Sequence, residues 1–112
     1  MKFDLDKGGL ETVLLTWQAE LMRWIWSLNG EVDSRMAHAH LRGSETPMSR
    51  ASSINFLKMM AVEGFLAYRE ATTKGGWKRL YEPSKIASDE EVFSRTIAER
   101  IIDKARRELL ED

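Results

Sequence analysis

The chain contains no cysteine, which excludes disulfide bridges and thiolate metal sites. It has only two histidines, His38 and His40. They stand two residues apart in a predicted helix, so they point to different faces and cannot clamp one metal ion. No apolar run approaches the roughly 20 residues needed to span a bilayer. The opening MKFDLDKGG carries two acids and no apolar core of a secretion signal. The cytoplasm is therefore the expected compartment. Also missing are a Ser-His-Asp order, a phosphate loop and paired carboxylates in any predicted cleft. The early GGLETV is too sparse to be a nucleotide loop. Neither an enzyme nor a cofactor is expected.

What is present is 112 residues, enough for one domain, with 43% hydrophobic residues to build a core. The net charge of -1 argues against a polyanionic partner, but its distribution argues for one. Residues 35–81 hold eight bases against three acids, a net of +5. The remainder holds nine bases against fifteen acids, a net of -6. A basic middle between acidic ends suits a protein that presents one face to nucleic acid.

Apolar periodicity starts at residues 10–28, where Leu14, Leu21, Ile25 and Leu28 recur at helical spacing with Trp17 and Trp24 beside them. One helix over the whole run and a break near Thr16 are both compatible with that spacing. Asn29-Gly30 stops it. Val32 is a short extended bridge, and Asp33 or Ser34 caps a second helix over 34–41, ended by Gly43. A third helix follows Pro47, with Ser49 as cap and Thr46-Pro47 as a competing start. Ile54, Leu57, Met60 and Ala61 form its predicted apolar stripe, and Gly64 stands where a left-handed cap is needed. Phe65, Leu66 and Tyr68, then TTKGG, then Trp77, Leu80 and Tyr81 predict a β-hairpin closed by Pro83. Trp77 is expected to pack beneath it. Ser88 and the acidic Asp89-Glu90-Glu91 open a last helix reaching about residue 110.

Three short-loop helices, a hairpin and a long helix make a mainly α protein with a small β-wing (α+β), a winged helix-turn-helix. The third helix, residues 49–63, is expected in the major groove, where base edges are informative. Its candidate DNA-binding residues are Ser49, Arg50, Ser52, Ser53, Asn55 and Lys58. Arginine donates two bonds to guanine, asparagine pairs with adenine, and serine bonds bases or phosphates. The wing, residues 65–82, brings Arg69, Lys74, Lys78 and Arg79 to the backbone or minor groove. The competing reading of these charges is a solvated hairpin edge kept from aggregating.

At these residues the chain resembles the penicillinase-repressor family, within the larger multiple-antibiotic-resistance-regulator group. The similarity lies in PMSRASSINFLKMMAVEGFLAYREATTKGGWKRLYEP: the Ser49 helix start, Leu57, Gly64, Phe65-Leu66, the basic Lys78-Arg79 and the closing Tyr81-Glu82-Pro83. Upstream, Ile25-Trp26 matches the Ile-Trp pair of the family's first helix. The similarity covers residues 19–83 and implies a dimeric transcriptional repressor. By position it puts Ser49, Arg50, Ser52, Ser53 and Asn55 on the DNA-reading helix. The chain departs from the family in its longer segment before Trp17 and in its single long C-terminal helix.

The expected organisation is one winged-helix domain over residues 1–112. Its DNA-binding core is 16–83, and its helical extensions at 1–15 and 88–112 serve dimerisation. Leu5, Leu10, Val13, Leu14 and the last helix offer more apolar surface than one small domain covers. Phe93, Ile97, Ile101, Ile102, Ala105 and Leu109 are the candidate dimerisation residues, with packing on the same domain as the competing reading. A twofold dimer implies a palindromic double-stranded DNA operator. The other functional reading is a winged helix used for protein–protein contact. Trp17, Trp24 and Trp26 are expected in the core, a groove for a small-molecule effector being the alternative. No effector and no membrane partner is indicated.

Overall fold

A computed structural model describes residues 3–4 and 6–110. Leu5, one of the apolar residues expected in the dimer interface, lies outside the described residues. A single 3-10 turn, Gly9–Thr12, precedes α1 (Thr16–Leu28). The run 10–28 therefore breaks before Thr16. Gln18 reaches back to accept the Leu15 amide at 2.9 Å, satisfying one N–H at the start of α1. Asn29 ends α1 in the left-handed conformation, at φ 52°.

Helices α2 (Ser34–Arg42) and α3 (Arg50–Val62) follow with short connections. Asp33 caps α2 by accepting the Met36 amide at 2.8 Å, and Ser49 caps α3 by accepting the Ser52 amide at 3.1 Å. Each such cap stabilises its helix by about 1 kcal/mol. The end of α3 is a complete Schellman motif: Phe65 N donates to Met60 O at 2.9 Å and Gly64 N donates to Ala61 O at 3.0 Å. Gly64 adopts φ 84°, as the motif requires.

The wing is the antiparallel pair β1 (Leu66–Thr73) and β2 (Gly76–Pro83), with Tyr68 opposite Tyr81 and Thr73 opposite Gly76. Val32 bridges the outer side of β2: its amide donates to Tyr81 O at 2.8 Å and its carbonyl accepts Tyr81 N at 2.7 Å. β2 is thus held from both sides near Tyr81. A short 3-10 turn, Lys85–Ala87, leads into α4 (Glu90–Leu110). Its cap is Asp89, which accepts the Val92 amide at 2.8 Å, and not the expected Ser88.

The core gathers Leu21, Met22 and Ile25 of α1, Val32, Ala37 and Leu41 of α2, Phe56, Leu57 and Met60 of α3, and Phe65, Leu66 and Tyr81 around the wing base. Each fully buried Leu, Ile, Phe or Met contributes about 1.5–3 kcal/mol. The apolar stripe of α3 is Ser53, Phe56, Leu57 and Met60, so Ile54 and Ala61 sit at its margin, half-buried. Leu28 likewise lies beyond the core and is exposed. Leu10 and Leu14 are buried in the same core, so this part of the N-terminal extension belongs to the domain. The three tryptophans Trp17, Trp24 and Trp26 pack against it. Trp17 meets Phe56 edge-on at 5.5 Å, and the indole N–H of Trp26 donates to Ala87 O at 2.8 Å.

The stripe of α4 divides. Phe93 is fully buried and Ile97 is 8% exposed, both packed in the core of their own domain. Phe65 meets Phe93 edge-on at 4.8 Å. Ile102 is 54% exposed and Leu109 77%, with Ile101 and Ala105 also exposed. The expectation that the whole stripe faces a second copy is corrected for Phe93 and Ile97. The reason is geometric: a stride of four residues overshoots the 3.6-residue turn by about 40° each time, so the later members rotate away from the face set by Phe93.

Candidate nucleic-acid interface

On α3, burial of one side leaves Ala51, Asn55, Lys58 and Val62 in an exposed stripe, with Arg50 exposed at its start. These positions fall three and four residues apart, one side of a helix. Ser53 is on the other side: it is fully buried, and its hydroxyl donates to Ser49 O at 3.2 Å. The expectation that Ser53 reads DNA is therefore corrected. Its small hydroxyl turns back on the preceding helical turn, which lets it sit in the core. Ser49 is occupied as the cap, and its hydroxyl also donates to the Ser52 hydroxyl at 3.0 Å.

The wing cations split into two groups. Arg69 forms a two-pronged pair with Glu31, with Nε at 2.7 Å and Nη2 at 2.9 Å from its oxygens. Lys78 Nζ lies 2.8 Å from Asp33 Oδ2. Both carboxylates flank Val32. Since successive strand residues point to opposite faces, Glu31 and Asp33 stand on the face opposite the Val32–Tyr81 contact, beside these two cations. The hydrogen bond from Arg69 holds the Glu31 carboxyl below its ordinary pKa. Burial pushes Asp33 up, but the bonds from Lys78 and Met36 outweigh it and leave Asp33 lowered. Both acids are thus firmly ionised, and Arg69 and Lys78 are neutralised where they stand. Arg79 stacks on Tyr68, its guanidinium carbon 4.3 Å from the ring centroid. Lys74 is exposed at the turn, and Trp77 is 63% exposed, not packed beneath the hairpin as expected.

The remaining cations of this region behave differently. Among the described residues, Arg35, Arg42, Arg50, Lys58 and Lys74 form no ion pair. Arg35, His38, Ala39 and Arg42 line a cleft of about 330 Å³ on α2, closed at one side by Arg50. The α2 residues were not among the sequence candidates. The signal that finds them is the basic count of residues 35–81 combined with the spacing 35, 38, 39, 42, which is one face of a helix.

An apolar groove of about 290 Å³ lies between the N-terminal turn and α4. Phe3, Leu10, Val13, Phe93, Ile97 and Ile101 are among its lining residues. It runs into the exposed stripe of α4. No helix of the described residues is long and apolar enough to cross a membrane. No group of three or more His, Cys, Asp or Glu side chains placed to hold a metal occurs among the described residues.

No family model and no curated protein sequence matches the chain. The membership suggested by the penicillinase-repressor resemblance thus has no sequence match behind it. Solved structures do match. A PadR family transcriptional regulator from Eggerthella lenta DSM 2243 superimposes with a TM-score of 0.56 at 12% identity, covering 83% of this chain and 82% of that one. A protein described as a transcriptional regulator from Thermoplasma acidophilum gives 0.54 at 14%, covering 85% and 94%. Another so described, from Methanosarcina mazei Go1, gives 0.59 at 12%, covering 88% and 81%. At these identities the likeness concerns the fold: three helices, a two-stranded wing and a long terminal helix, an arrangement found in transcriptional regulators.

Proposed function

We propose that the protein is a sequence-specific double-stranded DNA-binding transcriptional regulator that acts as a homodimer and represses. The observation that carries the DNA reading is the distribution of unpaired cations. Among the described residues, Arg35, Arg42, Arg50 and Lys58 stand without carboxylate partners on α2 and on the outer side of α3, and Lys74 does so at the wing tip. In this reading α3 enters the major groove. Asn55 and the exposed Ala51 face base edges, and Ser49, Ser52 and Lys58 approach the backbone. The wing contacts the backbone or minor groove through Lys74. Arg69 fixes the wing to Glu31 and Lys78 fixes it to the α2 cap Asp33, and Arg79 stiffens it against Tyr68. The fold's occurrence in transcriptional regulators supports the regulatory role, and the resemblance to a repressor family supports repression.

The homodimer rests on the second half of α4. Ile101, Ile102, Ala105 and Leu109 are exposed on a helix about 31 Å long. The apolar groove beside them has no cover within the described chain. A second copy covering both, related by a twofold axis, sets two α3 helices about one DNA turn apart, roughly 34 Å, and calls for a palindromic operator.

The deciding experiment is selection of duplexes from a random pool, followed by affinity measurements over a salt series. The proposal expects a selected palindrome and a steep linear fall of log affinity with log salt concentration. Absence of any duplex binding at low salt overturns it.

A further inference from the structure

The cleft on α2 has a chemistry of its own. Arg35, Arg42 and Arg50 all line it, together with His38 and Ala39. Arginine stays protonated at any working pH, so three like charges converge on one space. No carboxylate among the described residues answers them. Elsewhere the chain pairs several of its cations: Arg23 with Glu90, Arg69 with Glu31, Lys78 with Asp33, Arg100 with Glu63. Lys58 and Lys74 also stand unpaired among the described residues, but in the cleft three unpaired arginines line one space.

Two further facts sharpen it. Arg50 is the first residue of α3 and Arg35 the second of α2. A cation in the first turn opposes the helix dipole, so both stand where helix stability disfavours them. An anion held between them relieves both this and the mutual repulsion. Ala39, between the two α2 arginines in sequence and also lining the cleft, offers only a methyl group. Planar guanidinium groups match phosphate oxygens in two-pronged hydrogen bonds, and His38 adds a ring N–H donor.

We infer that this cleft is a phosphate-binding site, formed by Arg35, His38 and Arg42 of α2 and closed by Arg50, and that its occupant is a backbone phosphate of the bound duplex. The inference rests on the DNA-binding reading and adds residues to it. It also assigns Arg50 a different task from base reading. Arg50 anchors the backbone at the start of α3 and leaves sequence discrimination to the residues further along.

The test uses the full chain with a duplex from the selection, over a salt series, with Arg35→Gln, Arg42→Gln, Arg50→Gln and, as control, Arg95→Gln, exposed on the first half of α4. Each of the three arginine changes is expected to weaken specific and random duplexes by the same factor. Each should also reduce the slope of log affinity against log salt by about one, as loss of one phosphate contact requires. Arg95→Gln is expected to change neither. The altered arginines are exposed, so thermal midpoints near that of the parent will show that folding is intact. Duplex binding with unchanged slopes in the Arg35 and Arg42 variants overturns the cleft while leaving the DNA reading in place. Arg50→Gln altering sequence preference overturns its assignment as an anchor. A parent protein that binds no duplex defeats the DNA reading and, with it, the duplex backbone as occupant. A titration with inorganic phosphate, followed through the arginine Nε–H NMR signals, then decides for or against a free phosphate. Saturable shifts of Arg35 and Arg42, lost on Arg35→Gln, support phosphate as the ligand, and their absence overturns the site.

Discussion

Lys78 Nζ and Asp33 Oδ2 stand 2.8 Å apart, and the other oxygen of the same carboxylate caps α2. One side chain thus fixes the wing and starts α2, the helix before α3. Its pKa is lowered in the folded state. A lowered carboxyl stabilises fully above the unfolded value of about 3.9, and that stability is lost as pH falls through the folded value. Lys78→Met removes a lowering influence and leaves burial, which raises the pKa. Asp33 should therefore titrate at higher pH, the acid-unfolding midpoint should move upward, and neutral-pH stability should fall by about 1 kcal/mol or less. Carboxyl NMR and circular dichroism against pH test this. Coincident acid transitions for parent and variant would show that the pair is energetically silent.

The same pairing predicts unequal wing cations. Lys74→Gln should lower the salt slope of duplex binding by about one, as expected for a phosphate contact. Lys78→Met and Arg69→Met should lower it less, since each cation is already neutralised by its carboxylate. Equal slope changes at all three positions would place Lys78 and Arg69 on the DNA backbone.

Asn55 is exposed in the middle of α3. Asn55→Ala should relax sequence preference by about 1–3 kcal/mol at one base pair of each half-site, the range of a good bidentate contact. Repeating the duplex selection with the variant measures this. An unchanged consensus sequence would remove Asn55 from the reading set.

Gly64 sits at φ 84°, and a methyl group there would meet only Ile86 Cδ1 at 3.7 Å and Arg100 Nη2 at 3.8 Å. Space is adequate, so Gly64→Ala should cost only the backbone term, about 1–2 kcal/mol. Gly75→Ala at the wing tip, with open space around it and no positive φ, should stay within about 0.5 kcal/mol. Thermal denaturation separates the two. A neutral Gly64→Ala would mean that the helix end rearranges.

The two halves of α4 should respond differently. Ile102→Glu and Leu109→Glu alter exposed positions, and each should give a folded monomer with weakened operator binding. Phe93→Ala empties a fully buried site and should cost about 3–5 kcal/mol of stability. Sedimentation velocity and denaturant unfolding check both. Dimers that persist in both glutamate variants would place the interface elsewhere.

The order of helices and the hairpin was legible because the signals that set it are local. Asn29 takes the left-handed conformation one residue after α1, Asp33 and Ser49 accept amides three residues ahead, and Gly64 closes a motif of a few residues. Apolar spacing placed the elements well but their faces less well. Ile54 and Phe56 are two residues apart, and only contact with α1, where Trp17 meets the Phe56 ring, decides which one is inside.

By itself the sequence determined the winged-helix plan, the candidate caps of α2 and α3 and the concentration of positive charge in residues 35–81, since each is a property of neighbouring residues. Only the tertiary structure decided which of those charges are available. Glu31 lies 38 residues from Arg69 and Asp33 lies 45 from Lys78, yet the Val32 bridge to β2 brings each pair within hydrogen-bonding distance. It likewise decided that Phe93 and Ile97 belong to the core, while Ile102 and Leu109 do not. A Coulomb pair or a buried contact depends on distance in space, and chain separation carries no information about that until the fold closes.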